Sequence, residues 1–341
     1  MQESVITLLL AAHLLAMNVA SAGPLIGACL SGRREDGRRL SLGVYRLSLL
    51  SLLAGGLIGL GLLLWPSEGM RAALERFPAD TYWYAGIELA FSAACMAGLI
   101  AGGEWLARRR LASVALAVLT AMNLLYHFPP LMAVLGELAA DATWTREQVI
   151  DRAALLRLWR RPEILALWAH FVLASFAVAP IAALWRAYMP KGRAKEDVAG
   201  RQARWLGGVA LVATLSQLPV GLWLLSTGSG SEQRAIMGGD LVAMLCFAGS
   251  MLAVPWLLHT LVAVTLGEGR RAVVRAGYLL MAITILMTAT LRQSRGASGA
   301  DAPLTAPASI SVLEPALITQ PFSPPAPSSI LRGLRRGACS L

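Results

Sequence analysis

Residues 5–28, VITLLLAAHLLAMNVASAGPLIGA, decide the fold class. The run is uncharged apart from one imidazole, His13. It is long enough to cross the hydrocarbon core, which takes about 20 apolar residues in a helix. Seven further runs follow, at 43–65, 83–107, 111–135, 163–186, 204–226, 239–265 and 273–291. Of the 341 residues, 56% are hydrophobic and only 15% charged, against about 25% charged in a soluble chain. The expected fold is all-α, a polytopic membrane bundle of eight transmembrane helices with the lipid bilayer as its first partner.

A net charge of +10 raises the question of nucleic acid. The arginines answer it by clustering between the apolar runs, as the positive-inside rule requires, so no nucleic-acid partner is expected. The loops after spans 1, 3, 5 and 7, taken with the span-end residues Arg186, Arg204 and Arg275, hold sixteen Lys and Arg, and those after spans 2, 4 and 6 hold eight. The first set is expected in the cytoplasm. Both termini then face the periplasm of a bacterial inner membrane. VASAGP, with Ala20 and Ala22, has the form of a signal-peptidase site. The residues before it include no Lys or Arg and do include Glu3, so span 1 is read as retained. The four cysteines, Cys29, Cys95, Cys246 and Cys339, form no CxxC or CxxCH and signal neither a disulfide framework nor a zinc site. No nucleotide-binding loop, nucleophile elbow or HExxH occurs, and the loops are too short for a soluble catalytic domain.

The chain reads as a duplication. AHLLAMNVASAGP (12–24) aligns with AHFVLASFAVAP (169–180). His13 matches His170, Asn18 matches Ser175, Ala20 and Ala22 match Ala177 and Ala179, and Pro24 matches Pro180 after one inserted Gly23. GLLLW ending span 2 echoes GLWLL ending span 6. Glu88 echoes Asp240, and RRL opening span 4 echoes RRA opening span 8. Two tandem parallel four-helix repeats are expected, since an even number of spans per unit keeps the repeats parallel. The expected division is 1–140 for the first repeat and 162–294 for the second. Between them, 141–161 is read as an outer amphipathic surface helix, and 295–341 as a disordered Pro/Ala/Ser-rich tail. Within the surface helix, Thr145 and Gln148 form a candidate capping box, and Val149, Ala153 and Leu156 share a face.

Depth organises the polar groups. At about 1.5 Å rise per residue, His13, His170 and His127 fall about 12, 10 and 12 Å below the outer edge of the membrane. Glu88 is shallower, at about 7 Å. Ionisable groups at such depths are expensive and mark function. His259, near the cytoplasmic end of span 7, stands apart. Met17 shares the face of His13, and Asn123, four residues before His127, is placed to orient its ring.

Neutral imidazoles beside small residues suit a b-type haem, whose iron takes axial histidine ligands in an apolar slot. The first ligand pair is His13 with His170, with His127 as an alternative partner. Their ring nitrogens are expected about 4 Å apart across a shared slot. Glu88 is the candidate catalytic proton carrier, able with the remaining histidine to bind a quinol head group. An alternative is a copper or other metal or proton pathway built from His13, His127, His170 and methionines such as Met17 and Met122. A third reading is structural, with the histidines hydrogen-bonding between helices of a respiratory-complex subunit.

A histidine early in a span followed by small residues resembles membrane haem-b families. It is similar to the first spans of cytochrome bd oxidase subunit I and to the copper-resistance CopD-type proteins. That resemblance covers spans 1 and 5 and implies haem b, electron transport and further subunits in a respiratory complex. The chain departs from cytochrome bd in having eight spans and no long quinol-binding loop, so oxidase activity is not implied. It lacks the Trp-x-Gly that follows the histidine in CopD-like chains, so copper uptake is not implied. NLLYHFPP (123–130) with HLLAMNVASAGP also resembles an uncharacterised group of bacterial membrane proteins, which implies no activity.

Overall fold

The hydrophobic runs become helices wherever backbone polar groups must be satisfied within the segment. The computed structural model describes residues 2–31, 35–188 and 196–300. The elements in order are α1 (Gln2–Ser31), α2 (Glu35–Leu64), α3 (Glu68–Glu75), α4 (Ala79–Ala101), α5 (Gly103–Arg108), α6 (Arg110–Tyr126) and α7 (Phe128–Ala140). They continue with α8 (Arg152–Trp159), α9 (Pro162–Tyr188), α10 (Glu196–Thr227), α11 (Gly230–Arg234), α12 (Leu241–Leu266) and α13 (Arg270–Ala300). A short π-turn, Ala235–Gly239, joins α11 to α12. Eight helical segments are long and apolar enough to cross a membrane, α6 and α7 together making the fourth. The described residues lie in one compact unit.

α1 and α9 are the most buried spans. They carry small residues, so neighbours approach closely: Ala20 and Ala22 on α1 and Ala177, Ala179 and Ala183 on α9 are all buried. Gly23 and Gly27 of α1 face Ser48 and Tyr45 of α2, while Gly55 and Gly59 of α2 face Met17 and His13. Two pairs of glycines at four-residue spacing thus line one helix contact, the arrangement that brings membrane helices together. α10 packs on α9 as α2 packs on α1, and α13 packs on α12 as α6 packs on α4. α1 and α9 touch each other, and Ser175 Oγ donates to Asn18 Oδ1 at 2.9 Å across that contact. On the outer face of α2, Leu50, Leu53, Leu57, Leu60 and Leu64 form an exposed stripe at alternating spacings of three and four. Such a stripe demands hydrocarbon around it, and the chain is a multi-pass membrane protein.

Several sequence expectations shift. The fourth span is interrupted at His127, because Pro129 and Pro130 have no N–H to give to the preceding turn. The carbonyl four residues before Pro129 is that of Leu125, and Trp168 Nε1 of α9 donates to it at 2.7 Å. The third span ends at Ala101 rather than 107; Gly102 caps it and α5 follows. The surface helix starts at Arg152, not at Thr145. Asp151 is its N-cap, accepting from Ala154 N–H at 2.7 Å. Residues 142–147 instead wrap around the Arg76 guanidinium, which donates to the carbonyls of Ala142, Thr145 and Glu147. Ile150 N–H donates to Arg76 O at 2.8 Å, which holds this stretch out of the helix. The buried face of α8 is Ala154 and Leu158, with Val149, Ala153 and Leu156 exposed. An unforeseen helix, α3, lies on the same side of the membrane. It is capped by Ser67 and packs on α7. α13 stays helical through Ala300, past the expected tail start at 295. The rest of the tail lies outside the described residues, as do Arg33, Arg34, Lys191, Arg193 and Lys195.

Candidate functional site

The fourth span meets the third where the polar residues are. His127, at the α6–α7 junction, donates from Nδ1 to Glu88 Oε1 of α4 at 2.9 Å. The side chains are 40% and 32% exposed, so the pair lies at the surface of the bundle rather than sealed in its core. Asn123 secures the carboxylate's segment. Its Nδ2 donates to Glu88 O and to Ser92 Oγ, each at 2.8 Å. Asn123 was expected to orient the His127 ring. Its amide goes to α4 instead, because the buried Ser92 and the Glu88 carbonyl lie within reach. Tyr84, Glu88 and Phe91 follow at helical spacing, so exposed aromatic rings flank the carboxylate on its own face. Tyr126 packs edge-on against His127, at 5.2 Å between centroids, and against Trp159 of α8 at 4.4 Å.

An imidazole that gives Nδ1–H to a carboxylate keeps, in its neutral form, a lone pair on Nε2. That is the general-base arrangement: the carboxylate fixes the tautomer and stabilises the imidazolium when a proton arrives.

His13 is seated on α2. Its Nδ1–H donates to Gly55 O at 2.8 Å, and a Cβ added at Gly59 would come within 2.7 Å of its Cε1. The carbonyl bond again leaves Nε2 as the lone-pair atom, as in metal-ligating histidines. His170 Nδ1 is buried with no hydrogen-bond partner among the described residues. Each of these rings therefore suits a haem ligand taken by itself. Both lie five residues on the N-terminal side of the Asn18–Ser175 bond. Five residues turn a helix by about 140° from the line of that contact. His13 and His170 thus stand off the α1–α9 contact line rather than meeting along it.

Met17 is core: its sulfur lies against Gly55, in an apolar cluster with Ala20, Leu52, Met96 and Leu124. Among the described residues no three His, Cys, Asp or Glu side chains gather into a metal site, so His13, His127 and His170 do not converge. His259 is exposed near the arginine-rich end of α12.

One charged cluster escaped the sequence reading. Arg295 of α13 reaches Glu137 of α7 and, at 3.1 Å, Glu232 of α11. All three side chains are under a fifth exposed. Nearby on α13, Arg292 donates to Glu3 O and Thr7 Oγ1 of α1, each at 2.8 Å. The available signal was the spacing of Arg292 and Arg295, which sit one helical turn apart just past the end of span 8.

Compared with protein-family models, curated proteins and solved structures, the chain matches none.

Proposed function

We propose that the chain is a quinol-linked electron-transfer protein of the membrane that carries haem b, with Glu88 and His127 taking the protons released by the quinol. The Glu88–His127 pair carries this reading. It joins a proton-accepting dyad, partial exposure to the lipid phase and flanking aromatic rings, which together suit a lipid-soluble hydroxyl donor with a flat head group. A quinol oxidised there gives up two protons and two electrons. The protons leave one at a time through His127 Nε2 and the carboxylate toward the nearer surface, the one that also carries the N-terminus. Haem b, held by His13 or by His170, would supply one-electron redox chemistry.

The same reading takes the two halves as a duplicated unit. Its supports are the aligned pair Asn18 and Ser175 bonded to each other and the matching helix neighbours in the two halves. It also places the arginine-rich ends in the cytoplasm of a bacterial inner membrane and the chain beside other subunits of a respiratory complex.

The test is a visible spectrum of protein purified with full haem supply. A Soret band that responds to a short-chain quinol is the expected result. Glu88→Gln should leave that band in place and slow quinol-driven reduction about a hundredfold, the usual scale for losing an acid–base group. Absence of a Soret band overturns the haem assignment. A second reading of His13 then stands, favoured by its bond to Gly55 O: a clasp between α1 and α2.

A further inference from the structure

The turn between α12 and α13 places arginines by backbone geometry alone. Gly267 closes α12 with φ +90°, and Gly269 follows with φ +78°. Gly267 N–H bonds Val264 O and Glu268 N–H bonds Ala263 O, each at 3.0 Å. This is a Schellman-type stop that only glycine allows cheaply. α13 therefore starts at Arg270, and Arg270, Arg271 and Arg275 occupy its first two turns.

Arg271, Arg275, Tyr278 and Ala282 recur at spacings of four, three and four and so form one stripe. With Trp256 of α12 and Leu279 they line an open groove of about 930 Å³, to which Arg270 also contributes. The composition changes along its length: guanidinium groups at the arginine-rich end, then an aromatic pair, then an apolar wall. No carboxylate lines it. From Arg271 to Ala282 the helix rises about 16 Å, close to half of the roughly 30 Å hydrocarbon core. The groove thus runs from head-group level to the middle of the bilayer. Arg271 and Arg275 are one turn apart, about 6 Å along the axis, and guanidinium groups take phosphate oxygens in a planar, two-pronged fashion. Charge alone does not make this place. Arg108, Arg109 and Arg110 crowd another turn on the same side and line no part of this groove.

We infer that this groove binds an anionic phospholipid, its phosphate between Arg271 and Arg275 and one acyl chain along Tyr278, Leu279 and Ala282 against Trp256. The inference is independent of the haem assignment and of the chemistry at Glu88.

The experiment reconstitutes the full chain into nanodiscs of equal parts phosphatidylcholine and phosphatidylglycerol, extracts it in mild detergent and reads retained lipid by native mass spectrometry. The wild type should retain phosphatidylglycerol roughly thirtyfold over phosphatidylcholine, the scale expected of two arginines acting at a membrane surface. Arg271→Gln with Arg275→Gln should abolish the preference. Ala282→Trp, which fills the apolar wall and leaves the arginines alone, should also lower retention. Excess inorganic phosphate should not displace the lipid. Equal retention in the wild type and the double variant overturns the proposal, as does displacement by phosphate or full retention in Ala282→Trp. If the double glutamine variant does not elute as a single species, Arg275→Glu alone decides by the same readout: loss of the preference supports the proposal and an unchanged preference overturns it.

Discussion

His13 shows how much one ring depends on what is missing opposite it. Gly59 leaves the space in which the imidazole lies, and Gly55 exposes the carbonyl that fixes its tautomer. Gly59→Ala should therefore destabilise the fold by about 1–3 kcal/mol, the cost of overpacking a filled contact. Gly61→Ala, where a Cβ meets nothing within 4 Å, should be neutral or slightly stabilising. Thermal unfolding of the two variants in one detergent separates them, and equal midpoints would remove the seat from the account. If the haem assignment holds, Gly59→Ala should also shift the Soret band and Gly61→Ala should not. The sequence announced His13 as an ionisable group at depth. It could not announce the seat, because depth follows from counting residues, whereas facing follows from which helix packs alongside.

At the scale of helices, the same division recurs. Apolar length marked all eight spans, because a bilayer punishes any shorter or more polar solution. Asp240, the counterpart of Glu88 at the start of the seventh span, caps α12 by accepting from Ala243 N–H at 2.7 Å. The supposed cap at Thr145 failed because Arg76, far away in sequence, takes the carbonyls around it. Glu88 and His127 could be placed within a few ångströms of each other in depth, but their pairing needed α4 and α6 to be neighbours. Where α1 meets α9, Asn18 and Ser175 offer a measurement of that contact. A double-mutant cycle with alanine at both positions should give a coupling of about 0.6 kcal/mol, the mean for hydrogen bonds between membrane helices. Additive single effects would mean that the bond contributes nothing to helix association.

For the whole molecule, the informative group is Arg295, assigned by composition to a disordered tail. Its two carboxylate partners come from α7 and α11, so it ties the end of the last span to the fourth span and to the loop before the seventh. These partners explain why α13 outlasts its apolar run. Removing only the cation strands two partly buried carboxylates, and Arg295→Met should cost about 3 kcal/mol. Combining it with Glu137→Gln and Glu232→Gln should return most of that loss, since uncharged amides tolerate the site better than stranded charges. If the triple variant unfolds as early as the single one, the cluster acts through shape rather than charge.

The Leu125 carbonyl, freed by Pro129 and closed by Trp168, bears on how the chain is made. A bare carbonyl in hydrocarbon costs several kcal/mol, and the donor that relieves it belongs to the next span to be synthesised. The fourth span therefore stays incomplete until the fifth enters the bilayer, and the two insert as a coupled pair across the midpoint of the chain.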